Sequence, residues 1–346
     1  MLAARLFGKE DLRIVEVPVP SLSDGEVLVR VKAATLCGTD IRMYRNGAAG
    51  VDEKHPLTLC HEFAGIVEDV GSGVTHLERG ERVCVAPNIG CGVCGRCVSG
   101  NSHHCKEMKA FGIQIDGGLA EFVKIPREAV SNGNVMPIAD GVSYPAAAAN
   151  EAFSCVYNAY ERYGINPGDA VVIIGAGAIG LMHAKLALMS GAAKVIMNDL
   201  SRQRLDECAA IEPRVATAAE DIAGFVRDAT GGYGADVVIT ACSVAAVQQD
   251  AFALAGLDGR VCFFGGLPKG QELVRLDTNQ IHYKQLSVTG TTRSSHAHYR
   301  GTLDLIEKGL VDIDPLVTHT FGIKDTARAL DNVIGAIGLK QAVAFE

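Results

Sequence analysis

Four cysteines crowd one short stretch, CGVCGRCVSGNSHHC, at Cys91, Cys94, Cys97 and Cys105. Thiolates at that spacing suit a closed tetrahedral zinc site, in which no position is left for water and the metal acts as a cross-link. An iron–sulfur cluster is the rival for the same residues, and a loop of unliganded thiols is the third reading. His103 and His104 fall inside this loop and read as surface residues. A second stretch, LCHEF, sets His61 beside Glu62 without the second histidine of an HExxH helix. Alone it is an ordinary polar pair at the start of a strand. Cys84, Cys242 and Cys262 sit in apolar strand-like runs, with Cys155 and Cys208 similar, and read as packing residues. Cys37 and Cys60 are left without a role by that sorting.

The third chemical stretch is DAVVIIGAGAIGLMHAKLALMSGAAKVIMNDL, from Asp169. An apolar strand runs into Gly175, Gly177, Ile179 and Gly180, and a helix follows. This is the context in which GxGxxG binds a dinucleotide: tight turn, backbone close to the pyrophosphate, helix packed on strand. Helix N–H groups then face the phosphates. Asp199, 19 residues after Gly180, is placed to accept hydrogen bonds from the adenosine ribose and to repel the extra phosphate of NADP. NAD is therefore the expected cofactor. Arg202 and Arg204 follow closely and supply the NADP alternative, or else a solvated helix face.

The elements that must position these groups fall into two kinds. Apolar runs at 235–240, 260–265 and 285–290 continue a buried parallel sheet between helices. Before residue 150 the chain reads as many short Val- and Ile-rich strands with Gly and Pro punctuation, an all-β module. From about 294 a helical TLDLIEKG and strand-like LVTHTF and QAVAFE have too little apolar content to fold alone, and are expected to return to the first module. At 346 residues two domains are expected.

Composition narrows the function class. The net charge is −8 with scattered Lys and Arg, which leaves no footprint for nucleic acid or an anionic membrane. The longest nearly uncharged run, 170–182, is too short to span a bilayer, and charges near the N-terminus break any secretory signal. A cytoplasmic protein acting on small molecules is expected, its eleven cysteines being ligands and core thiols rather than disulfides.

With these features together the chain resembles the zinc-dependent medium-chain dehydrogenase superfamily, almost end to end. The motifs are CGTD at 37–40, HEFAG at 61–65, VGSGV at 70–74, GERV at 80–83, the four-cysteine loop, DGGLAEF at 116–122, the glycine fingerprint and PLVTHTF at 315–321. The resemblance implies an α/β fold, a GroES-like β-rich catalytic domain over 1–152 and 293–346 with a Rossmann NAD-binding domain over 153–292. It implies a catalytic zinc on Cys37 and His61. In the polyol branch, represented by sorbitol (L-iditol) dehydrogenase, Glu62 completes the shell and Glu151 holds or replaces the water. Glu62 as an orienting neighbour of the ligands is the alternative. Asp40 is expected to accept from the His61 imidazole, Thr39 to relay a proton, Arg204 to reach the cofactor, and Arg293 to approach substrate hydroxyls or lie at the surface.

The implied activity is hydride transfer from a secondary hydroxyl of a polyol, cyclitol or sugar derivative to NAD, with two zinc ions per chain and a homo-oligomer, dimer or tetramer. An L-threonine 3-dehydrogenase-like amino-alcohol enzyme and a catalytically silent redox sensor are the alternatives. Three residues depart from the family pattern: Arg42 where many relatives have histidine, Cys60 where glycine is usual, and Ala152 where proline is common after the second glutamate.

Overall fold

The computed structural model describes residues 1–346, and its chain divides into two compact units, Met1–Ser154 with Ser294–Glu346, and Cys155–Arg293. In the second unit, strands Ala170–Ile174, Lys194–Asn198, Ala216–Ala218, Ala235–Thr240, Ala255–Phe263 and Ser287–Gly290 form one parallel sheet. Numbered in chain order, its strands lie 3-2-1-4-5-6 across the sheet. That is the doubly wound order, with the reversal beside the first strand. The first strand is buried along its whole length, as a central strand covered by helices must be, and its apolar run AVVII reflects that. Phe252, Val261, Val238 and Ile196 pack on the sheet.

The first unit is built on an antiparallel sheet around Val27–Thr35, which pairs with Phe63–Val70 on one edge and with both Phe122–Ile125 and the C-terminal Lys340–Ala344 elsewhere along it. Val27, Val29 and Val31 alternate inward, the period expected of a half-buried strand, and join a core with Phe63 and Phe111, whose rings meet edge to face at 5.5 Å. The two paired strands approach closely at Gly65, where an added Cβ would sit 2.1 Å from the Arg30 carbonyl oxygen. The C-terminal strand pairs Ala342 with Thr35, so the end of the chain is delivered to the base of the segment that carries Cys37. No helix is long and apolar enough to cross a membrane.

Candidate active site and metal centres

Cys37 caps the helix Gly38–Asn46: its Sγ accepts from the Thr39 N–H at 3.2 Å while the Asp40 carboxylate reaches back to the Cys37 N–H at 3.0 Å. This reciprocal cap fixes the thiol at the helix N-terminus. The Cys37 Sγ lies 3.3 Å from Nε2 of His61, and that nitrogen is 3.8 Å from Oε2 of Glu151. The His61 imidazole thus sits between the Cys37 thiol and the Glu151 carboxylate, and the ligand atoms of Cys37, His61 and Glu62 all lie within 4.8 Å of one another. Burial pulls the His61 imidazole down, but the charges of Cys37, Glu151 and Asp40 raise it well above the usual range. A pocket that anionic and so favourable to a cation fits a zinc ion with an open position.

Glu62 stands within 4.8 Å of the Cys37 and His61 ligand atoms, yet both its oxygens are engaged elsewhere. Lys340 Nζ donates to them at 2.7 and 2.6 Å, and the Thr35 hydroxyl donates to Oε2. Glu62 is 1% exposed and Lys340 5%, so this is a buried ion pair. Burial would depress the lysine, but the charges of Glu62, Cys37 and Glu151 hold it above the usual value. Lys340 and Thr35 were not among the sequence candidates. The available signal was a lysine heading an apolar strand, since a buried ammonium demands an acid.

Two expectations need correcting. Asp40 does not accept from His61: its oxygens are taken by the backbone N–H groups of Cys37 and Cys60, each at 3.0 Å, because the helix cap and the turn before His61 both lack other acceptors there. It shapes the loops that carry the ligands rather than the imidazole itself. His103 is fully buried, not at the surface, with its ring 4.0 Å from His104 and 5.8 Å from His298, because the short turn Ser102–His104 folds it inward.

Cys60 adopts a left-handed backbone, φ 75°, which explains why glycine suits the position. Its thiol points to the carbonyls of Thr35 and Glu62 at 3.3 and 3.2 Å, and burial, with Asp40 and Glu62 nearby, raises it well above a reactive thiol. Ala152 lets the helix Tyr144–Tyr163 run unbroken past Glu151. Arg42 Nη2 donates to Thr39 Oγ1 at 2.9 Å. Arg293 is exposed, with φ 57° and its carbonyl held by Asn158 at 2.8 Å.

In the cysteine loop, Sγ separations are 3.6 Å for Cys94–Cys97, 3.8 Å for Cys94–Cys105 and 4.0 Å for Cys91–Cys97. Sulfurs at about 2.3 Å from one tetrahedral ion stand about 3.8 Å apart, so these fit a single zinc, whereas a cluster of several irons spreads its ligands wider. None of the eleven cysteines is in a disulfide.

In the second unit, Gly175 has φ 118°, and a Cβ on Gly180 would fall 1.9 Å from the Gly175 carbonyl oxygen. A Cβ on Gly177 would meet nothing within 4 Å, so the backbone at the N-terminus of the helix Ala178–Met189 is open to a phosphate. Ile179 is half-buried on its first turn. Asp199 sits just past the second strand, accepting from Ala176 N–H at 2.8 Å and Ser201 N–H at 2.9 Å. Arg204 lies on the first turn of the next helix, its N–H 3.3 Å from the Ser201 hydroxyl, while Arg202 is exposed. The loop and acid fit a dinucleotide.

Fold, ligand cluster and glycine turn together define a zinc-dependent alcohol dehydrogenase, and the chain belongs to that family of oxidoreductases. Residues 23–140 match the alcohol dehydrogenase GroES-like domain and residues 178–308 the zinc-binding dehydrogenase domain. It is 32% identical to an L-threonine 3-dehydrogenase of Bacillus velezensis over 91% of this chain and 90% of that one. It is 30% identical to the sorbitol dehydrogenase of Bacillus subtilis over 96% and 94%. A zinc-binding dehydrogenase from Sinorhizobium meliloti, solved with NADP bound, superposes with a TM-score of 0.89 at 29% identity over 99% of both chains.

Proposed function

We propose that the protein oxidises a secondary alcohol of a polyol, cyclitol or sugar derivative to a ketone, reversibly, with NAD as acceptor and two zinc ions per chain. The observation that carries this reading is the His61 imidazole set between the Cys37 thiol and the Glu151 carboxylate, beside a Glu62 already neutralised by Lys340. Cys37, His61 and Glu151 would hold the catalytic zinc, with Glu62 orienting the cluster. Cys91, Cys94, Cys97 and Cys105 would hold the structural one. Zinc in the first position supplies Lewis acidity that lets a hydroxyl lose its proton near neutral pH, and the nicotinamide takes the hydride. A carboxylate at Glu151, where simple alcohol dehydrogenases have a thiolate, favours hydroxyl-rich substrates; the L-threonine 3-dehydrogenase relatives keep an amino alcohol as second reading. The exposed edge strand Ser287–Gly290 supports pairing of two copies, and cysteines that form no disulfide suit a cytoplasmic location. Metal analysis with NADH production from polyols, cyclitols and threonine tests the proposal. Two zinc ions and turnover of a polyol support it; turnover of threonine alone replaces the substrate class, and no turnover overturns it.

Thr39 accepts from Arg42, so its own proton points to another acceptor, the reacting oxygen in this reading. A guanidinium stays protonated and cannot pass a proton onward. Arg42→His is therefore expected to add an inflection to the pH profile of kcat/KM near the ordinary imidazole value of about 6.5, absent from the wild type.

Asp199 supports NAD over NADP. Asp199→Ser is expected to shift the ratio of kcat/KM for NADP over NAD upward by about 10–100-fold, the worth of a hydrogen bond to a charged group. The ratio is the readout, because the variant also loses the Ala176 and Ser201 contacts.

A further inference from the structure

We infer that a cavity of about 750 Å³ in the first unit receives the part of the substrate remote from the reacting carbon, and that it selects an uncharged, hydroxyl-rich chain over its phosphate ester. The inference rests on the dehydrogenase reading above. The size is that of a small-molecule site. Parts of its wall adjoin the segments that carry the cluster's ligands. Met43 lies on the helix that Cys37 caps, and Leu57 lies just ahead of His61. Ile113 belongs to a loop locked to Cys60: a Cβ on Gly117 would come 2.0 Å from the Cys60 carbonyl oxygen, and one on Gly112 2.5 Å from its carbonyl carbon.

Those three side chains offer apolar surface for the C–H edges of a carbon chain. The polar side chains on the wall are Arg5, Asp116, His55 and Gln114, the last accepting from the Ala110 N–H at 2.9 Å. Arg5 Nη2 donates to the Pro56 carbonyl at 2.6 Å and to the Asp116 carboxylate at 3.2 and 3.4 Å. Its hydrogen bonds all leave from Nη2, so Nη1 can serve a ligand. Asp116 Oδ1 also accepts from Thr58 N–H at 2.8 Å, while 58% of the side chain stays exposed. The one other titratable group on the wall, His55, is paired with Asp52 at 3.1 Å. Cation and anion cancel, so the cavity holds no net positive charge. A phosphate dianion there would be repelled by the Asp116 carboxylate, which already balances the charge of the guanidinium. A hydroxyl accepts from arginine and donates to aspartate at once.

The test uses zinc-loaded, NADH-bound protein with sorbitol and its terminal phosphate ester as probes, read by saturation-transfer NMR and by kinetics. Sorbitol is expected to bind at least about tenfold tighter than the ester. Asp116→Asn, which keeps an acceptor for Thr58, is expected to move that ratio about tenfold toward the ester, and Arg5→Met to weaken sorbitol about tenfold, with the loss in KM rather than kcat. Met43→Phe, which fills the cavity, is the control should Asp116→Asn unfold, and is expected to weaken both probes. Preference for the ester, no binding of either probe, or ratios and affinities unmoved by all three variants would overturn the inference. If neither probe is turned over but both bind as described, the polyol-oxidation reading fails and the cavity assignment stands.

Discussion

Glu62→Gln is expected to destabilise the first unit by about 3–5 kcal/mol, the cost of leaving one half of a buried ion pair without its partner. The lysine ammonium cannot reach water, and a neutral amide presents a single acceptor oxygen to Lys340 and Thr35 where the carboxylate presented two. In thermal melts this is a drop of roughly 6–20 °C. Lys340→Met alone is expected to destabilise as well, because Glu62 is then the stranded charge. The double variant Glu62→Gln with Lys340→Met removes both charges together and is expected to recover most of the loss, giving a coupling energy of about 2 kcal/mol or more. Additive losses would show that the pair is not coupled. The double variant also isolates the role of Glu62 at the metal: retention of zinc there means that this carboxylate orients the cluster without joining it.

The second large effect is expected from Cys37→Ser. Serine is at least as good a helix cap as cysteine, so the helix Gly38–Asn46 and its hydrogen bond from Thr39 survive. What is lost is the soft thiolate ligand. Several kcal/mol of transition-state stabilisation depend on the metal, so kcat/KM is expected to fall about 10³-fold, with zinc content reduced from two ions toward one and melting almost unchanged. Full activity in a metal-depleted Cys37→Ser protein would contradict the assignment of the site.

Much of this was legible because the informative motifs are local. The glycine fingerprint works through backbone geometry within a few residues, so sequence exposes it directly: Gly175 must turn and Gly180 must clear its carbonyl. The four-cysteine loop is likewise one short segment, and the parallel α/β sheet followed from its uninterrupted apolar runs. The Glu62–Lys340 pair was not legible, because the partners lie 278 residues apart and meet only through the register of the C-terminal strand on Val27–Thr35. Asp40 misled for a related reason. A buried carboxylate near an imidazole suggests a direct bond, but here two backbone donors compete for it and win. His103 lies in a polar loop, yet the turn that gathers the cysteines carries it inward.

The central claim is hydride transfer from a carbinol carbon to a nicotinamide in a zinc-loaded enzyme. The most direct measurement supplies the best-turned-over polyol deuterated at the carbon to be oxidised and follows the label by NMR of the reduced cofactor. The account predicts deuterium at C4 of the nicotinamide, transferred directly to one face of the ring, and no transfer from the Cys37→Ser protein. Label released to solvent, or cofactor that stays oxidised with every polyol offered to the two-zinc protein, would contradict it.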